Sequence, residues 1–138
     1  MGIWNQQFSS AGFDEMLSEI GADPREALGL VRSWVSSTLG WKANLRHYQS
    51  SWGWAEGYEG VKGSLRGVYL IPEPGRVRVA MSFDRAGLGA IEGSELPKGL
   101  LGEVRDGMCV LSVVWAECSV QTRGDADGVC GLLGLLCG

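Results

Sequence analysis

Histidine is nearly missing from these 138 residues: His47 is the only one. That excludes a catalytic or metal-binding cluster built on imidazoles. Cysteine is sparse as well, at Cys109, Cys118, Cys130 and Cys137, and never as C-x-x-C. Cys130 and Cys137 would share a helix face about 10 Å apart, too far to clasp one zinc directly. Free thiols in a reducing cytosol are the expectation, with no metal. A clustered basic stripe is also lacking. Net charge is −4, and the alternating Arg76 and Arg78 are no footprint for a phosphate backbone, so no nucleic acid partner is expected. The apolar run "VCGLLGLLCG" is about half a membrane span. The start "MGIWNQQFSS" has no charged region leading into an apolar one. The chain therefore reads as cytoplasmic, with no membrane partner.

Sequence signatures of known chemistry are equally scarce. No G-x-S-x-G, P-loop or H-E-x-x-H occurs. "GLGAIEG" has neither the leading buried strand nor the spacing of a dinucleotide loop. Asp125-Ala126-Asp127-Gly128 opens like a calcium loop, but Leu136 stands where the closing glutamate would be, so helix capping is the better reading. No cofactor is expected.

What is present specifies one α+β domain over residues 1–138. Hydrophobic residues at 45% against 20% charged place the chain among globular domains, and no linker or repeat divides it. At this length folding removes roughly 70% of the unfolded surface from water, enough to do without disulfides. A first helix is expected from about Ala11 to Ile20, capped by Ser9 or Ser10. A second starts at Asp23-Pro24-Arg25-Glu26, with Asp23 as its N-cap. Its apolar positions Ala27, Leu30, Val31, Trp34, Val35 and Leu39 recur at helical spacing, and Gly40 ends it.

Strands are expected at about 42–49, 52–59, 64–71, 76–83 and 109–118, with "IPEPG" as a hairpin turn. In the fourth, Val77, Val79, Met81 and Phe83 alternate with Arg76, Arg78, Ala80 and Ser82. "CVLSVVWAEC" is apolar on both faces and belongs in the sheet interior. A helical turn is expected from Asp84 over 84–93, and another helix from near Pro97. The tail closes with a helix capped by Asp125 or Asp127. Its stripe is Val129, Leu132, Leu133 and Leu136, with Gly128, Gly131 and Gly134 allowing close approach. The expected fold is a four- or five-stranded antiparallel sheet with helices packed mainly on one face.

"SSWGWAEGYEG" holds the candidate site. As a strand it points Trp52, Trp54, Glu56 and Tyr58 to one side and small residues to the other. Aromatics at alternate positions are ordinarily core, but a carboxylate among them needs a partner or a proton. Either Arg46, Arg66 or Lys62 reaches Glu56, or the face opens into a cleft with Glu56 ionised and partly accessible. Aromatic walls around a carboxylate suit a small cationic or aromatic ligand, and Tyr48 and Tyr69 on flanking strands would extend that wall.

The order of these segments resembles the bacterial family called domain of unknown function 3788. Gly53, Trp54 and Tyr58, then Ser64, Leu65, Tyr69 and Pro72, then Asp127, Leu132 and Leu133 match its motifs. Arg66 and Gly67 depart from the lysine-rich turn and cysteine common in members. The resemblance covers about residues 30–136, and it implies a compact single domain and little about activity.

Three functional readings follow from the residues. The first is a non-catalytic module binding a small aromatic or cationic ligand through Trp52, Trp54, Glu56, Tyr58, Tyr48 and Tyr69. The second is a structural or interaction protein whose aromatic face is core and whose tail helix makes a homodimer, with Leu135 and Cys137 exposed or shared. The third is an enzyme using Glu56 as general base. It ranks last because no nucleophile, oxyanion donors or metal complete a mechanism, so no catalytic residue is assigned.

Overall fold

The computed structural model describes residues 12–48, 53–92, 103–106 and 113–138, with backbone alone at Tyr48, Glu92 and 103–106. Helices α1 (Phe13–Leu17) and α2 (Ala22–Trp34) lead into strands β1 (Ala43–Tyr48), β2 (Gly53–Lys62), β3 (Leu65–Ile71) and β4 (Arg78–Asp84). Helix α3 (Ala86–Glu92), strands β5 (Glu103–Asp106) and β6 (Val113–Ser119), and helix α4 (Arg123–Cys137) complete the order. All strand pairs are antiparallel, in the order β1-β2-β3-β4-β6-β5. The α+β architecture is as expected. The sheet holds one strand more, because Glu103–Asp106 pairs with β6 where the sequence suggested a helix. Pro97, the expected start of that helix, lies outside the described residues.

Helix α2 starts earlier than its sequence signal. Gly21, extended at ψ 163°, is the N-cap, and no side chain caps it. Asp23 therefore sits inside the first turn, where its charge faces the positive helix end. Pro24 is tolerated there because first-turn N–H groups have no helical partner. After Trp34 the helix widens into a π-helical turn over Val35–Leu39, and Gly40 at φ +67° stops it.

The four described helices share one hydrophobic cluster on a single face of the sheet. Tyr58, Val68, Leu70, Val79, Met81, Phe83, Val114, Ala116 and Cys118 supply the sheet side of it. Helix α4 supplies Ala126, Val129, Leu132, Leu133 and Leu136, a stripe that includes every expected position. Its cap is Thr122, whose hydroxyl accepts from the Asp125 N–H, while the Asp125 carboxylate accepts from the Thr122 N–H. Asp125 is thus the reciprocal partner in a capping box rather than the cap.

Two connections position the sheet against the helices. The turn after β3 closes with Arg76 N–H donating to the Glu73 carbonyl at 2.9 Å. Pro74 and Gly75, the latter at φ +79°, occupy its centre, as a type II turn requires. The β2–β3 turn docks on the end of α4, where Ser64 N–H donates to the Leu136 carbonyl at 2.7 Å. Gly63, at φ +59°, makes that approach, and a Cβ there would meet the Cys137 carbonyl carbon at 2.6 Å.

The glycines of α4 are another matter. Gly131 and Gly134 are exposed, and a Cβ on Gly134 would come no nearer than 4.0 Å to Trp34. Close approach is therefore not the use of Gly134. Gly134→Ala is expected to raise stability by about 1 kcal/mol by removing backbone entropy from the unfolded chain. Gly63→Ala is expected to lower it, through positive φ and the clash with the helix end. Chemical denaturation of the two variants checks both signs.

Candidate functional site

The register of β1, β2 and β3 decides which of the expected site residues meet. Leu45 stands opposite Glu56 and His47 opposite Trp54. Glu56 in turn pairs with Leu70, and Tyr58 with Val68. Trp54, Glu56 and Tyr58 therefore share the helix-covered face, as their spacing implied. Tyr69 pairs with Gly57 and belongs to the other face, and Tyr48 stands opposite Gly53, a position of that same other face. Tyr69 therefore does not extend the wall of Trp54, Glu56 and Tyr58. Trp52 lies outside the described residues.

Glu56 is sealed rather than partly accessible, at 4% exposure. Its partner is none of Arg46, Arg66 or Lys62 but Arg32, from α2. Arg32 Nε donates to Glu56 Oε1 at 2.8 Å and Nη2 donates to Oε2 at 2.9 Å, a two-point fork. Tyr58 Oη also donates to Oε1, at 2.5 Å. Hydrogen bonding to Glu56 holds the Arg32 guanidinium above its ordinary range, and burial followed by Glu56 raises the Tyr58 phenol. The guanidinium lies 4.8 Å from the Phe13 ring centre, and its Nη1 reaches exposed Asp14 at 3.2 Å. One arginine thus ties β2, α2 and α1 together.

The rest of the stripe packs. Tyr58 is fully buried in the main core, and Trp54 is partly buried against it. His47 meets Trp54 edge-on, with ring centres 5.4 Å apart. Both His47 ring nitrogens are buried, and neither meets a hydrogen-bond partner among the described residues. Sequence reasoning passed over His47 as a lone histidine. Its alternation with Leu45 in β1 was the available signal.

The opposite face carries a second buried charge. Arg78 donates to Glu117 at 2.8 Å and to Glu73 at 2.9 Å. Tyr69 donates to Glu59 at 3.0 Å, and its ring tilts against Trp115 at 5.5 Å. Ala55, Ile71 and Ala80 fill the space between. Glu73 comes from the adjacent turn, five residues before Arg78, and Glu117 from β6, 39 residues after it, so strand alternation marked Arg78 as polar without showing its partners.

Comparison with protein-family models, curated proteins and solved structures finds no match. Among the described residues no group of three or more His, Cys, Asp or Glu is placed to hold a metal ion. No described helix is long and apolar enough to cross a membrane.

Removing one member of the ion pair should be asymmetric. Arg32→Leu leaves a buried carboxylate uncompensated and is expected to cost about 3 kcal/mol or more. Glu56→Leu leaves an arginine whose side chain is 35% exposed, so water recovers part of the loss and the cost is smaller. The double variant should be close to the milder single one. Equal losses in urea unfolding would contradict this account.

Burial raises the thiols of Cys118 to about 12 and Cys130 to about 11, and raises Cys137 while Lys62 opposes the shift. Unfolded thiols ionise lower, so the unfolded state binds fewer protons above about pH 9 and stability should fall there. At mildly alkaline pH, a thiol reagent is expected to label Cys137 first, Cys130 next and Cys118 only on unfolding. Cys109 lies outside the described residues. Mass spectrometry of timed samples reads the order.

Proposed function

We propose that this domain is a non-catalytic interaction protein whose Trp54–Glu56–Tyr58 stripe is core. The observation that carries this reading is the saturation of Glu56, which has both oxygens engaged by Arg32 and Tyr58 beneath the helices. A bound cation would have to displace a two-point arginine from a buried carboxylate. A general base would need an oxygen facing substrate. With that face closed, association with another chain is the better account of the fold's exposed features. The motif order that resembles the domain of unknown function 3788 family is compatible with such a compact module, and membership is part of this proposal.

A second reading keeps one specific observation in its favour. The buried ring of His47 beside the partly exposed Trp54, without a hydrogen-bond partner among the described residues, is the sort of polar group that native structures satisfy. A small aromatic or cationic molecule opening the Trp54 end of the stripe would supply it.

The two readings separate in titrations of the intact protein. Under the first, tryptophan fluorescence and melting temperature should stay flat across a panel of lipophilic cations and aromatic amines. Sedimentation should show reversible association. A saturable response lost in Trp54→Leu, in a protein monomeric throughout, would favour the small-molecule reading.

A further inference from the structure

Among the described residues, strand β1 ends the sheet, paired with β2 on one side. An edge strand offers a row of backbone donors and acceptors to another chain unless something blunts it. Proline, bulges and charged side chains are the usual devices, and Ala43-Asn44-Leu45-Arg46-His47-Tyr48 contains no proline and a single charge, Arg46. Its pairing with β2 runs through six consecutive positions without a register shift, so no bulge twists it away. Its one lysine neighbour, Lys42, precedes the strand.

The helices offer less. The apolar stripe of α4 is consumed by the core, leaving Leu135 at 37% exposure. Val61, at the β2 end, is the other large apolar side chain exposed among the described residues. Single exposed apolar residues of this kind are ordinary.

We propose that β1 pairs with β1 of a second copy of this chain, antiparallel, about a two-fold axis through Leu45. This rests on the reading of the domain as an interaction protein. The register follows from symmetry and charge. A two-fold axis perpendicular to a continuous sheet must pass through a residue, since opposed side chains have to point to the same face. Centring on Arg46 sets arginine against arginine, and centring on Asn44 sets Lys42 against Arg46, both unfavourable. Centring on His47 uses only the end of the strand. Centring on Leu45 pairs five consecutive positions: Leu45 with its copy, Asn44 with Arg46 twice, and Ala43 with His47 twice. No like charges oppose, and the half-buried Leu45, which already packs against the main core, is covered by its copy. The helical layers of both subunits then lie on the same side of one continuous sheet.

Asn44 and Arg46 are both exposed on the face away from the helices, so changes at Asn44 leave the core alone. Asn44→Asp places a carboxylate opposite each Arg46 and should tighten the dimer about three- to tenfold. Asn44→Lys should weaken it by a similar factor. Leu45→Cys brings two thiols face to face, and mild oxidation should yield a disulfide joining the two introduced thiols, identified by peptide mass spectrometry. Analytical ultracentrifugation of the full chain and these variants is the experiment. A dimer indifferent to both Asn44 variants and giving no such disulfide overturns the β1 register while leaving the interaction reading standing. A chain monomeric at every concentration, yet responsive to the small-molecule panel, overturns both.

Discussion

One buried ion pair holds this structure in register. Glu56 sits in the middle of β2, on the face where the helices must pack, and a carboxylate there is costly unless its charge and lone pairs are met. Arg32 meets them with a planar fork that has only one good orientation. The rotation of α2 and its height on the sheet are therefore constrained together. Hydrophobic contacts alone would constrain them less, since a stripe of Ala27, Leu28, Val31 and Val35 tolerates small slides.

The other parts extend that constraint. Phe13 lies under the same guanidinium, so the short α1, too brief to be stable by itself, gains a fixed seat. Tyr58 adds its hydroxyl to the carboxylate and its ring to the core. The Gly63–Ser64 turn grips the end of α4 through the Leu136 carbonyl. The opposite face repeats the device, with Arg78 held between Glu73 and Glu117.

This arrangement shapes the functional reading. Of the strand face that looked like an aromatic cage in sequence, Glu56 and Tyr58 are buried and Trp54 is half-buried, and the carboxylate is spent on the protein's own arginine. Among the described residues, the features left over for other molecules are the edge of β1 and the ring of His47 beside Trp54, whose nitrogens meet no hydrogen-bond partner there. Both lie at the same margin of the sheet, so the two functional readings concern neighbouring parts of the protein.

Local pattern alone determined a good deal. The alternation in Arg78–Asp84, the Pro74-Gly75 turn, the stop at Gly40 and the stripe of α4 are short-range effects of pleat, φ and helical period, all legible residue by residue. That Trp54, Glu56 and Tyr58 share a face was legible for the same reason. Three things waited for tertiary structure. The partner of Glu56 comes from 24 residues away on a helix, and no periodicity relates Arg32 to it. The placing of Tyr48 and Tyr69 on the other face followed from inter-strand register, which a single strand does not encode. Glu103–Asp106 became a strand because β6 offered an edge to pair with, a long-range contact that outweighed the local helical signal. Whether Glu56 faced a ligand or an arginine was thus decided by what packed above it.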